Sequence, residues 1–289
     1  MSLTIVIVTY KSNHLIQNLV KSIPKDYKIL IIENSLDKNL KNSLEKDFKN
    51  IEVLIPKENL GFTGAINYGV KVAKTNYVLC LVADVIFHYK SFAEIEKVCN
   101  SLEDFAIIAP TYNDESTFKN YKEHNKDKSK ILNLNEKKIL EVKEVDGAAF
   151  VVNKKKFIDD VMDKNIFMYF ESTDMCLNTL RRGEKIYVIL NIKFDHLGLQ
   201  SSEKKYSEEV IKSRNWHYCW SKFYFYRKNY NYVIALSKIL PNFLRSIIKI
   251  SKSFFKKKDE HNYKNALAEL KGIVNSVLKK KSKYRPKIN

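Results

Sequence analysis

The sequence predicts an α/β fold: a Rossmann-like, mostly parallel sheet followed by a basic, aromatic extension of helical character. Three observations carry that expectation. Short apolar strands at Thr4–Val8, Ile29–Ile32, Ile51–Ile55 and Tyr77–Val82 alternate with helix-like stretches, the pattern of successive βαβ units. Each strand runs into a polar group: Thr9-Tyr10, Glu33-Asn34-Ser35, Asn59-Leu60-Gly61-Phe62 and Asp84 in turn. Charge then divides the chain, because residues 1–199 hold 29 Lys and Arg against 27 Asp and Glu, whereas residues 200–289 hold 22 against 6. We therefore expect a balanced body over residues 1–200 and a cationic extension over 201–289 that seeks a polyanion such as an acidic membrane face.

The 289 residues, 45% of them hydrophobic, suffice for one large core with a smaller appendage. No uninterrupted apolar run approaches the ~18 residues that cross a bilayer. The opening Met-Ser-Leu-Thr-Ile-Val-Ile-Val carries no basic leader, so a cytoplasmic location is expected. Cys80, Cys99, Cys176 and Cys219 are far apart inside apolar segments, which suits reduced core thiols rather than a disulfide frame or zinc site.

Along the body, Ser12 or Asn13 can cap a helix over His14–Ser22 that Pro24 stops. A second, more polar helix is expected over Leu40–Phe48 and a third over Thr63–Ala73. Gly61 and Gly64, at the entry to the third, either let a phosphate or sugar approach backbone N–H groups at a helix N-terminus or serve a tight turn with positive φ. Asp84 follows the apolar strand Tyr77–Val82, where a carboxylate can hold a hard divalent cation or simply finish a turn. The polar stretch Asn113–Lys138 reads as a mobile lid or insertion. Ser172 or Thr173 can cap a helix running to Arg182 and ended by Gly183, which leaves Glu171 at the helix entrance and Asp174 in its first turn.

The order of these groups, Thr4 to Ser12, Ile31-Ile32-Glu33-Asn34-Ser35, Glu58-Asn59-Leu60-Gly61-Phe62, the strand ending at Asp84, Val145-Asp146-Gly147-Ala148-Ala149-Phe150, and Phe167 to Leu177 followed by His196, resembles the inverting glycosyltransferases of family 2. The likeness covers about residues 3 to 200 and is nearest to the bacterial rhamnosyltransferase-like branch. It implies a GT-A fold that binds a nucleoside diphosphate sugar. Thr9 and Tyr10 would line the nucleotide pocket and Glu33 would take the place of the acid that bonds the base, while Asn59, Gly61, Phe62 and Gly64 form the adjoining donor loop. Asp84 and His196 would hold Mg²⁺ or Mn²⁺, although the family's Asp-x-Asp appears here as Val82-Ala83-Asp84. Asp146 and Gly147 match the segment that contacts the sugar, or make a turn before a strand. The family's Glu-Asp-x-Asp appears as Glu171-Ser172-Thr173-Asp174, so Glu171 is the implied base and Asp174 the second catalytic acid or a helix-dipole partner. The implied reaction joins a dTDP- or UDP-linked sugar, rhamnose foremost, to a glycan or polyprenyl-linked acceptor.

In the extension, residues 214–232 interleave nine aromatic rings with cations, a set that can pack as core, stack on a sugar or lie at a headgroup boundary. Beyond a kink expected at Pro241, Phe243, Leu244, Ile247, Ile248, Phe254 and Phe255 fall on one side of a helix and Arg245, Lys249, Lys252 and Lys256 on the other. Such a helix either lies in an anionic membrane surface or docks on the body with a solvated lysine face. Two other function classes fit parts of the chain, a nucleic-acid binder through the basic tail and a non-catalytic sugar-binding relative. The first leaves the ordered motifs of residues 4 to 196 unexplained.

Overall fold

The computed structural model describes residues 1–102, 104–114, 118–124, 131–134, 136–198, 202–255 and 260–286. In chain order the elements are β1 (Leu3–Thr9), α1 (Asn13–Ser22), β2 (Lys28–Glu33), α2 (Lys38–Asp47), β3 (Ile51–Leu54), α3 (Gly61–Val72), β4 (Tyr77–Val82), β5 (Val85–Phe87), α4 (Ser91–Ser101), β6 (Ile107–Tyr112), β7 (Tyr121–Glu123), β8 (Ile131–Leu134), β9 (Lys137–Val145), β10 (Ala149–Asn153), α5 (Glu171–Arg181), β11 (Ile186–His196), α6 (Ser207–Asn229), α7 (Tyr232–Phe255) and α8 (Glu260–Val277). They form two compact units, one of residues 1–162 and 172–203, the other of 163–171 and 204–289. None of the described helices is long and apolar enough to cross a membrane.

The first unit is built on one sheet in the order β3-β2-β1-β4-β10-β6-β11-β9-β7, with β5 on β11 and β8 on β9. β3, β2, β1 and β4 run parallel, and β1 lies between β2, which follows α1, and β4, which follows α3. β10 enters antiparallel between β4 and β6, and β6 and β11 are again parallel. Strands buried on both faces read as continuous apolar runs, which is why Thr4–Val8 and Tyr77–Val82 were legible. One face packs α1, α2 and α4 through Ile16, Leu19, Leu40, Leu44, Phe92 and Ile95. The other packs α3 and α5 through Ala65, Ile66, Val70, Met175 and Cys176. A Cβ on Gly69 would lie 2.4 Å from Val6 Cγ1, so glycine is what lets α3 approach β1 this closely.

Three local expectations change. Ser12 occupies the N-cap of α1 without capping it, because its hydroxyl turns back to bond the Tyr10 backbone. Asp37 caps α2 instead, accepting from Asn39 and Leu40 N–H, so that helix starts two residues earlier than its apolar pattern suggested. The stretch expected as a lid contributes β7 and β8, both paired with β9, and buries Tyr121; its residues 115–117, 125–130 and 135 lie outside the described residues.

The second unit is a bundle of α6, α7 and α8. Trp216, Trp220, Phe223 and Phe225 are buried and Tyr218, Tyr230 and Tyr232 exposed, so part of the aromatic set is core. Trp216 and Trp220 stack at 6.4 Å, and Trp220 and Tyr224 at 5.0 Å. Helix α7 runs on through Pro241. Lys256 and the side chains of Phe254 and Phe255 lie outside the described residues.

Candidate active site

In an open α/β sheet the ligand crevice lies beyond the carboxyl ends of the strands, where the strand order reverses. Here that point is β1, flanked by β2 on one side and β4 on the other. Thr9 ends β1, Glu33 ends β2 and Asp84 follows β4, so three of the expected residues come to one edge because of chain direction alone.

A first group surrounds the β1 and β2 ends. Thr9 is buried with its hydroxyl toward the Ile32 carbonyl at 3.4 Å, and Asn34 N–H donates to the Thr9 carbonyl at 3.0 Å. Lys11, at φ 53°, donates its N–H to Ser35 Oγ, and the Tyr10 carbonyl accepts from Ser202 Oγ at 3.0 Å. Glu33, expected to take the place of the acid that bonds the base, is fully buried, and its carboxylate takes Ser35 N–H at 3.0 Å, the Ser35 hydroxyl and Asp37 N–H at 2.7 Å. Its two oxygens hold the β2–α2 turn. The Asn59 loop is tied in the same way. Asn59 Oδ1 accepts from Gly61 N–H at 2.9 Å, while Asn34 accepts from Leu60 N–H and donates to the Gly61 carbonyl, both at 3.1 Å. Gly61 has φ 71°, so it meets the turn requirement, and a Cβ on Gly64 would lie 2.9 Å from Leu60 Cβ. Phe62 is half-buried beside them.

The second group is a chain of four side chains. β5 pairs antiparallel with β11, setting His196 opposite Val85, and Leu197 N–H closes on the Asp84 carbonyl at 2.9 Å. This pairing brings His196 Nε2 to 3.5 Å from Asp84 Oδ1, with the carboxylate side chain 3% exposed and the imidazole 29%. Tyr112, at the end of β6, donates its hydroxyl to Asp146 Oδ2 at 2.5 Å and meets His196 Nδ1 at 2.9 Å. With the phenol proton committed to Asp146, the phenol oxygen accepts from Nδ1–H, which leaves Nε2 for Asp84. Asp146 also accepts from Ala148 N–H at 3.0 Å, and Gly147 completes that turn into β10. Burial would lower the imidazole pKa, but the hydrogen bond and charge of Asp84 and the charge of Asp146 outweigh it and raise it. Burial raises the Asp146 carboxyl against the opposing Tyr112 hydroxyl. The Tyr112 phenol is pushed up as well, by burial and then by the Asp146 charge. Tyr112, Asn113, Asp146, Asp195 and His196 line one cleft of about 630 Å³.

Tyr112 was not among the expected residues, and neither was Asn34. Asp174 is buried inside α5 and its carboxylate accepts from Asn178 Nδ2 at 2.9 Å. Thr173 does not cap α5; its hydroxyl donates to Glu144 at 2.9 Å. Glu171 is the first residue of α5 rather than a residue outside the helix, and is half-buried. It belongs to the second unit, with Ser172–Glu203 in the first. Gly183, at φ 77°, ends the helix as expected.

A sheet of this order, with acids and a histidine gathered at the carboxyl edge, is that of an open α/β protein with its crevice at the strand-order reversal. Residues 4–160 match the family described as glycosyl transferase family 2, and the chain belongs to that family. It is similar in fold to the mannosyltransferase PcManGT from Pyrobaculum calidifontis, in complex with GDP-Man and Mn²⁺: 8% identity, 97% of this chain and 88% of that chain covered, TM-score 0.57. It is also similar to S. aureus TarS 1-349 in complex with UDP, at 13% identity, with 97% of this chain and 92% of that chain covered and a TM-score of 0.50. At these identities the likeness is one of fold, the GT-A fold of glycosyltransferases. No curated protein matches the chain in sequence at a significant level.

Proposed function

We propose that this glycosyltransferase moves a sugar from a nucleoside diphosphate donor to a hydroxyl of a cell-surface glycan or polyprenyl-linked acceptor, with inversion at the anomeric carbon. One observation carries the reading: Asp84, Tyr112, Asp146 and His196 form a continuous polar chain at the carboxyl edge of a family 2 sheet. The GDP-Man and UDP held by the two similar structures support a nucleotide-linked donor. Rhamnose on dTDP follows from the sequence resemblance, with UDP sugars as the other donor class, and the cytoplasmic face of a membrane is the location that suits a polyprenyl-linked acceptor.

The donor types at Asp84 and His196 fit a divalent cation, an oxygen and an imidazole Nε2 facing each other. The described residues hold no group of three or more His, Cys, Asp or Glu placed for a metal ion, so the protein's share of the shell would be these two. Bound there, Mg²⁺ or Mn²⁺ would neutralise charge developing on the diphosphate. Glu171 is the proposed base and Asp174, buried one turn on, orients the start of α5. The acceptor oxygen attacks the anomeric carbon as the bond from that carbon to the diphosphate oxygen breaks. The electron pair leaves with the nucleoside diphosphate, and the hydroxyl proton passes to Glu171. Thr9, Tyr10, Glu33, Asn59, Gly61, Phe62 and Gly64 flank the nucleotide, Glu33 from the turn it holds.

A panel of nucleotide sugars, tested for thermal stabilisation with and without Mn²⁺, checks the reading, since a ligand specific to the folded state raises stability by mass action. We expect one donor to raise the melting midpoint and to be consumed with acceptor present. Glu171→Gln is expected to abolish transfer and keep the stabilisation; wild-type turnover in that variant would move the base elsewhere.

A further inference from the structure

We propose that α7 docks the protein on an anionic phospholipid bilayer, through an apolar face that the helical unit turns outward. This inference does not rest on the transfer reading. Among the described side chains of α7 the buried ones are Ala235, Ile239 and Ser246, all on one side of a helix at 100° per residue. Ser246 Oγ donates to Glu269 of α8 at 2.7 Å, and Lys249 pairs with the same carboxylate at 3.1 Å. The helix is therefore held in its bundle by the narrow side that carries Ala235, Ile239 and Ser246. The wide apolar side that a docked helix would pack is thus left outward, beside exposed cations. On the other side Val233 is 74% exposed, Leu240 and Leu244 51% each, and Ile248 53%, and Leu236 and Ile247 continue the strip. A contiguous apolar strip of this length on a folded surface marks an interaction site.

The charge beside the strip identifies the occupant. Lys238, Arg245 and Lys252 are exposed and follow one border of it at helical spacing. Lys222 of α6 joins them: burial, and the charges of Lys238 and Arg245, hold its ammonium below the usual lysine range. Like charges gathered next to exposed apolar side chains repel one another until anions lie between them, and a layer of acidic headgroups over acyl chains supplies both chemistries at once. Lys and Arg stems can run along the strip and leave their heads at the phosphate level. Exposed Tyr230 and Tyr232, at the start of the helix, suit the same boundary. Since none of the described helices can cross a bilayer, the helix lies in the surface plane.

The test is flotation of the full-length chain with vesicles of phosphatidylglycerol and phosphatidylcholine against vesicles of phosphatidylcholine alone, with no donor present. The wild type is expected to float with the anionic vesicles only, and the double variant Leu244→Glu, Ile247→Glu to lose at least tenfold of that binding. Lys238→Glu, Arg245→Glu is expected to lose several-fold and to respond less to salt. All four positions are exposed, so circular dichroism should show unchanged melting midpoints. The proposal is overturned if the wild type stays with the pellet, or if the Leu244, Ile247 variant floats as the wild type does. It is also overturned if light scattering finds a dimer that this variant dissolves, which would give the strip to a second copy of the chain.

Discussion

The Tyr112 hydroxyl fixes the orientation of the site's histidine: its proton goes to Asp146, its oxygen faces His196 Nδ1, and Nε2 is left to Asp84. Tyr112→Phe should therefore lower kcat by about ten- to a hundredfold with a smaller change in KM. It should also cost about 1 kcal/mol of stability, because the half-buried Asp146 carboxylate loses a donor; steady-state kinetics and thermal melts check the two separately. Asp84→Asn should abolish the extra thermal stabilisation that Mn²⁺ adds to a bound nucleotide sugar, while the stabilisation seen without metal remains. Asp84, Asp146 and His196 were legible as candidates because each follows or precedes an apolar strand in a motif of known order. Tyr112 was not, since a tyrosine ending Ile107–Tyr112 reads like any half-buried strand residue, and its partners are 34 and 84 positions away. Glu33 was legible as a strand-end acid, but its capture by Ser35 and Asp37 depends on turn geometry that no spacing rule contains.

At the scale of elements, the helical unit rests on close backbone approach and one buried imidazole. A Cβ on Gly272 of α8 would lie 2.2 Å from the Trp216 carbonyl oxygen of α6, so Gly272→Ala must push the helices apart, at about 1–3 kcal/mol. A drop of several degrees in the unfolding midpoint is expected; an unchanged midpoint would mean the bundle yields freely. His217 is fully buried, stacked on Phe167 at 4.4 Å, with Nε2 facing the Tyr284 carbonyl and Nδ1 the Ser282 hydroxyl. Burial lowers its pKa to about 3, and the nearby Arg285 charge adds to that. The folded state thus refuses a proton that the unfolded chain accepts at about 6.5. Stability from this residue is complete above that value and is lost as pH falls from there toward 3, at up to about 1.4 kcal/mol per pH unit. Chemical denaturation at pH 7.5 and pH 5.5 should show the loss, and His217→Gln should flatten it. The sequence carried little of this element. Helix α6 mixes aromatic and charged residues on all sides, so it shows no stripe, and α8 buries Ala266, Ala268 and Gly272, residues too small to mark a face.

For the whole molecule, the charge division and the two compact units imply two separate responses. The sheet unit holds every residue proposed for the donor and the metal, Thr9 to Asp84, Asp146 and His196, whereas the acid-sensitive His217 and the outward face of α7 belong to the helical unit. A nucleotide sugar with Mn²⁺ should therefore slow hydrogen exchange at the ends of β1, β2 and β4 and near His196, where backbone N–H groups already bond across loops. Acidification from pH 7.5 to pH 5.5, once corrected for intrinsic exchange, should instead raise exchange in α6 and α8 around His217, because protonation of the unfolded chain lowers the cost of opening that bundle. Exchange mass spectrometry on the intact chain separates the two. Protection that spreads equally over both units on adding donor, or acid sensitivity centred on β1 and β4, would show that the chain opens as one cooperative body with no division of labour between its units.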